Sequence, residues 1–322
     1  LALAVGTLGV LFVGCGGAIT ARGEVLQPAQ VPVRAFPRIL IACDDAPESV
    51  ELATAVAGHL ADGRSVVERM EPEAIERLRA AGRIEVATVV LEVRASFAQR
   101  DVPHVTPGER FDCGPAGCMD WRRLDSSPLV HVEVRLRVAD GPSGRPLQEV
   151  ELREEETGVD VLGARLRVLG RLGHRINTLL DQRVEEVRVE LHPVDREEVR
   201  AALAHAVEGR WGEARRALET FVRSSAFRSL PPSTRAHVLF NLGQARRFDT
   251  STPAHQRFAS ALRALRAAVR LVPDPRFAHA LSALEADRRS RAMIRVQQEA
   301  MVHNFAIAEQ GAAPAAPRHY HD

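Results

Sequence analysis

The chain has 322 residues, enough for two ordinary domains, and its 45% hydrophobic and 26% charged residues exclude a chain that is disordered throughout. The 43 bases, all of them Arg, nearly balance the 42 acids, which excludes a uniformly basic nucleic-acid coat and an acidic solvating tail. One Tyr and two Trp are too few for a base-stacking platform, and four Cys are too few for a disulfide scaffold.

Leu1 to Val13 is an uncharged apolar run ending in Gly14-Cys15-Gly16-Gly17. It is shorter than the roughly 20 residues a membrane-spanning helix needs and has the length of a signal-peptide core. Leu11-Phe12-Val13-Gly14-Cys15 resembles a bacterial lipobox, with Phe12 where that motif prefers Leu. The resemblance implies that residues 1–14 are part of a signal peptide and that Cys15 is lipidated. An ordinary secretory signal or a buried apolar helix are the alternatives. Residues 15–37 carry Gly-Gly, Gln-Pro, Val-Pro and Phe-Pro steps and read as an extended tether or edge strand.

Residues 38–192 read as an α/β layer. Arg38 to Cys43 is a short apolar run, predicting a buried strand. Val50, Leu52, Val56 and Leu60 follow helical spacing after Pro47. Ser65 to Arg69 predicts a strand, Glu71 to Ala81 a helix and Ile84 to Phe97 a third strand. Ala98 to Ser127 reads as a polar loop. Val130 to Val138 alternates cleanly, Asp140 to Gly144 turns, and Leu147 to Glu155 returns. A helix over Asp160 to Leu180 and a strand over Val184 to Leu191 complete this half.

Ile39-Leu40-Ile41, the helix after it, Val66-Val67-Glu68-Arg69 and the turn Arg137 to Gly144 resemble the curli-secretion (CsgG-like) lipoproteins. The N-terminal domain of the TolB translocation protein is similar in layout. The resemblance covers half the chain, carries no catalytic residues, and implies a cell-envelope protein that can form homo-oligomers.

From Pro193 the pattern is helical to about residue 310, and residues 311–322 read as a disordered tail. Asp195 is placed to cap the first helix. Gly209-Arg210-Trp211-Gly212 forms a tight helical joint, Pro231-Pro232 breaks the chain, and Asn241-Leu242-Gly243 with Ala261 and Pro273 resembles the tetratricopeptide repeat. Gly243 and Ala261 stand where helices approach closely. The resemblance implies stacked helical pairs with a concave binding surface; a generic helical bundle is the alternative.

Cys113 and Cys118, separated by Gly-Pro-Ala-Gly, can reach bridging distance in an oxidising compartment. A zinc site there would need His104 or His131, and both are distant. Cys43 reads as a small core residue. No phosphate loop, His-Glu-x-x-His or Gly-x-Ser-x-Gly is present. No metal or cofactor is therefore expected, and no catalytic residue. Between Arg196 and Gln310 there are 19 Arg and 11 acids, a surplus of eight positive charges.

The expected fold class is α+β or α/β: a mixed-sheet domain followed by an all-α repeat domain. The expected function is a lipid-anchored scaffold at the periplasmic face of the outer membrane. Its helical groove would bind an acidic envelope protein or peptide through Arg210, Asn241, Arg246, Arg247, Arg263 and Arg270, and no nucleic acid. A subunit of an outer-membrane export assembly and an enzyme of unknown reaction are the alternatives.

Overall fold

A computed structural model describes residues 18–61, 63–107 and 122–311. Cys15, Cys113, Cys118, the signal-peptide stretch and the tail at 312–322 lie outside the described residues. The chain is of the α+β class and divides into two compact units.

The elements run in chain order as follows. Strand β1 (Ile19–Gln27), a 3₁₀ turn (Val33–Ala35), β2 (Arg38–Cys43), α1 (Pro47–Ala61), β3 (Val66–Met70) and α2 (Pro72–Ala80) come first. Then follow β4 (Thr88–Pro107), β5 (Arg122–Asp140), β6 (Pro146–Thr157), α3 (Val161–Leu180) and β7 (Arg183–Leu191). The rest is helical: α4 (Glu197–Val207), α5 (Trp211–Arg223), α6 (Ser225–Arg228), α7 (Pro232–Phe248), α8 (Ala254–Leu271) and α9 (Pro275–Gly311).

The sheet unit comprises Pro28–Arg183 and the residues from Met293 onward. Its strand order is β3-β2-β4-β5-β6, parallel across β3, β2 and β4 and antiparallel across β4, β5 and β6. Alternation along β2 decides which helix covers which face. Ile39 and Ile41 join Leu52, Val56, Leu172 and Ile176 of α1 and α3, whereas Leu40 and Ala42 join Ile75 of α2. Asp160 caps α3, its carboxylate accepting from the Gly163 amide at 2.6 Å. Arg167, Arg171 and Arg175 of α3 pair with Glu154 and Glu156 of β6.

Two expectations for this half are corrected. β4 begins at Thr88, four residues late, because Ala87 takes a left-handed turn with φ of 65°. Residues 98–127 are not a loop at their ends: β4 and β5 pair out to Pro107 opposite Arg122. β2 leaves β4 at Val93 and β6 leaves β5 at Leu129, so each strand of the outer hairpin keeps a bare edge where proline nitrogens need no partner.

The second unit comprises β1 and Val184–Ala292. Of the two readings of the tether, residues 19–27 take the strand. β1 and β7 form their own two-stranded sheet, so β7 belongs with the helices and not with the larger sheet. Ala21 and Val25 share a core with Val189, Leu191, Leu203 and Trp211, and the Trp211 indole donates to the Arg22 carbonyl at 3.0 Å. Gly23 is required here: a Cβ would lie 2.4 Å from a ring carbon of Phe248.

The helices pair as hairpins. Gly209, at φ of 76°, turns the chain between α4 and α5. Arg196, not Asp195, stands at the α4 N-cap. Gly243 lets α7 meet α8, since a Cβ there would sit 2.6 Å from Leu265, and Ala261 is fully buried. A second core gathers Phe240, Phe258, Leu265, Phe277 and Leu284 from α7, α8 and α9. In place of a third helical pair, α9 is one uninterrupted helix of 37 residues. Its residues from Met293 belong to the sheet unit, where Gln297 and Asn304 donate to the Ala29 and Ala35 carbonyls at 2.7 and 2.9 Å.

Candidate functional site

The helical unit is where the expected binding residues lie, and the structure separates them. Asn241 is 0% exposed and its amide is engaged within the chain. Its side-chain amide donates to the His192 carbonyl at 2.7 Å, and its oxygen accepts from the His192 amide at 2.8 Å. An Asn expected in a ligand groove instead clamps the chain's own backbone at the end of β7.

Around that clamp is a cluster of rings. His192 stacks on His237 with centroids 4.6 Å apart and meets Phe240 and Phe277 edge-on. Burial, then His237 and Arg276, push the His192 imidazole down to about 4, with Asp274 opposing. Burial lowers His237 as well. Arg276 holds Asp274 down to about 2 through a hydrogen bond of 2.6 Å.

The expected arginines divide into paired and unpaired. Arg247 reaches Asp287 at 2.6 Å and lies over the Phe248 ring at 4.7 Å, which makes it a packing residue of the helices. Arg210 is held beside α5 by Glu208 and by Glu213 at 3.5 Å. Arg270 is exposed at the end of α8.

Arg246 and Arg263 meet at a cavity of about 520 Å³ between α5, α7 and α8, with Arg215, Glu219, His255 and Arg257 also on its wall. Glu219 ties Arg215 and Arg246 at 2.9 and 3.0 Å, and Arg215 also reaches Asp249 at 2.6 Å. Asp249 takes further hydrogen bonds from Ser251 and Thr252. Burial raises its pKa, and the bonds from Ser251, Arg215 and Thr252 outweigh that and hold it low.

Arg257 escaped the sequence reading. It is 6% exposed, and no carboxylate lies within ion-pairing distance of it among the described residues. Its Nε is buried without an acceptor, and the guanidinium's one hydrogen bond among the described residues is a long one, 3.4 Å, to the Asp249 carbonyl. Burial lowers its pKa, as does Arg291, with Asp249 and Asp287 opposing. Arg263 is exposed and likewise has no carboxylate partner among the described residues. Counting Asp249 behind the wall, four guanidinium groups face two carboxylates, so the cavity carries surplus positive charge. Nothing in the Asp-Thr-Ser-Thr-Pro insertion before α8 marks Arg257 as buried.

Other candidate groups are accounted for. Among the described residues, no cluster of His, Cys, Asp and Glu could hold a metal ion, and no helix is long and apolar enough to cross a membrane. His131 pairs with Glu133 and Glu155, and His104 lies 3.4 Å from the Ser127 hydroxyl. Cys43 is a free thiol, half-buried against the sheet core, and burial raises its pKa.

No family model matches the chain, and no curated protein matches it. Solved structures similar to it include a minor lipoprotein from Acinetobacter baumannii, at 11% identity and a TM-score of 0.27, over 44% of this chain and 90% of that one. The PelC dodecamer from Paraburkholderia phytofirmans is similar at 16% identity and a TM-score of 0.28, over 51% and 100%. Lipoprotein GNA1162 from Neisseria meningitidis is similar at 12% identity and a TM-score of 0.22, over 43% and 94%. Identities and scores of this size carry no inference about activity.

The His192 cluster sets a pH dependence with a definite sign. The folded state prefers neutral His192, so the unfolded chain binds more protons between pH 6.5 and about 4. Stability contributed by this group is complete above pH 6.5 and declines as pH falls toward 4. Urea midpoints should fall across that window, and His192→Phe should flatten the fall. An unchanged slope in that variant would contradict the assignment.

Proposed function

We propose that this chain is a cell-envelope lipoprotein whose helical unit binds an acidic segment of a partner protein in the cavity between α5, α7 and α8. The observation that carries the reading is the pair Arg257 and Arg263, two guanidinium groups on one cavity wall with no carboxylate within ion-pairing distance of either among the described residues, Asp249 and Asp287 acting on Arg257 only from further off. A buried cation without a counter-charge is costly, and an incoming carboxylate would complete both its charge and its hydrogen bonds. The surplus of eight positive charges across residues 196–310 would draw such a partner in. The anchor in this reading is Cys15, in the lipobox-like Leu11-Phe12-Val13-Gly14-Cys15.

A second reading, a subunit of an export assembly, is favoured by one observation, the β4–β5 hairpin that continues beyond the sheet to Pro107 and Arg122. Arg100, Asp101, His104 and Asp125 on its outer part argue against a lipid-facing band.

Two measurements test the first reading. A synthetic Glu-rich peptide should bind the full chain with an association rate that falls as salt rises past about 0.15 M. Arg263→Glu should weaken it about tenfold or more, whereas Arg270→Glu, at the far end of α8, should change it little. Equal effects of the two reversals, or a rate indifferent to salt, would remove the cavity from consideration. Separately, Cys15→Ala should move the protein from the membrane to the soluble fraction, and unchanged partitioning would refute the anchor.

A further inference from the structure

A different surface of the helical unit carries an inference that does not depend on the basic cavity. Among the described residues β7 has a single strand partner, β1, so one of its edges offers backbone N–H and C=O groups that no strand there pairs. That edge faces a second cavity, of about 680 Å³. Residues 187–190 of β7 line it and none of β1 does. Its floor is α7, through Phe240 and Gln244, and its far wall is α9, through Ala280 and Ala283. Four consecutive strand residues span about 13 Å, which gives the groove the length of a short extended segment.

Gln244 marks what the groove takes. It is 4% exposed, its Oε1 is buried with no donor, and the side chain makes no hydrogen bond among the described residues. A buried amide oxygen without a donor is destabilising and calls for an explanation. The same helix supplies one. His237, Asn241 and Gln244 stand at positions i, i+4 and i+7, a single stripe on α7. Asn241 in that stripe already grips an extended backbone, donating to the carbonyl and accepting from the amide of His192. Gln244, one turn on, has the same chemistry and nothing to grip.

We propose that the groove is a strand-addition site. An extended segment of a partner protein lies along the free edge of β7 as a third strand, and the Gln244 amide holds its backbone as Asn241 holds that of His192. The backbone ladder supplies affinity, and side chains alternate between solvent and the wall of Phe240, Ala280 and Ala283. Arg188 of β7 and His279 of α9 also line the groove, and neither has a carboxylate partner among the described residues, while Glu190 lines it beside Arg276. The segment therefore alternates apolar and polar residues and sets an acidic one against Arg188.

The probe is a panel of blocked octapeptides, each alternating Val, Leu or Phe with Thr and carrying Asp at both ends, titrated against the full chain. At least one should bind and slow amide exchange at residues 187–190. Gln244→Leu should weaken it about tenfold or more while leaving the melting temperature unchanged or higher, because it removes an unpartnered buried amide. Ala283→Trp, which fills the groove, should abolish binding, and Arg263→Glu should not alter it. The proposal fails if no peptide binds at millimolar concentration, if exchange at residues 187–190 is unaffected by a bound peptide, or if Gln244→Leu binds as well as the parent. It fails also if Gln244→Leu lowers the melting temperature by several degrees, since the amide would then serve the fold.

Discussion

The helical unit depends on one buried amide. Asn241 joins the backbone of His192, just beyond β7, to the middle of α7 by two hydrogen bonds of 2.7 and 2.8 Å. Among the described residues β7 has β1 as its one strand neighbour, and a two-stranded ribbon is marginal in water without further support. The clamp supplies that support at the strand's end. It also places the His192 ring against His237, Phe240 and Phe277, where the imidazole must stay neutral. The outer edge of β7 and the orphan amide of Gln244 reach the same groove as a consequence of that arrangement.

Charge is handled by a different rule. With Arg as the only long base, most acids of the sheet unit meet a forked partner, as Glu154 and Glu156 do on α3. Such exposed pairs contribute little each and mainly keep the surface soluble. Many exposed arginines of the chain lack a salt bridge, so burial is what sets Arg257 apart: it is the buried arginine among the described residues, and it shares the wall of the cavity between α5, α7 and α8 with the exposed Arg263.

Much of the fold was legible because local pattern encodes it. Period-two alternation in Val130–Val138 and helical spacing from Val50 to Leu60 report burial directly, and the structure has those elements. β1 was legible only as one of two readings. Its Gly23 reads as linker, and the reason for that glycine, the ring of Phe248, lies more than 200 residues away. The outer hairpin was hidden by Pro103 and Pro107, which are tolerated only because the neighbouring strands have already ended. Of the expected binding residues, Arg246 and Arg263 do share a cavity. Asn241 was singled out as a partner-binding residue, and the partner its amide holds is the backbone of His192. Arg257 and Gln244 gave no sequence signal beyond a polar residue on a largely apolar helix face.

The measurement that reaches furthest into this account is amide exchange of the full chain with and without Asn241→Ala. Truncating the amide leaves the N–H and C=O of His192 buried without partners, a loss of about 2–4 kcal/mol for two such groups. The expected result is a lower urea midpoint, with exchange at His192 and along residues 187–191 accelerated by orders of magnitude. Unchanged protection across β7 and a midpoint within about 0.5 kcal/mol of the parent would show that β7 is held by something other than the clamp.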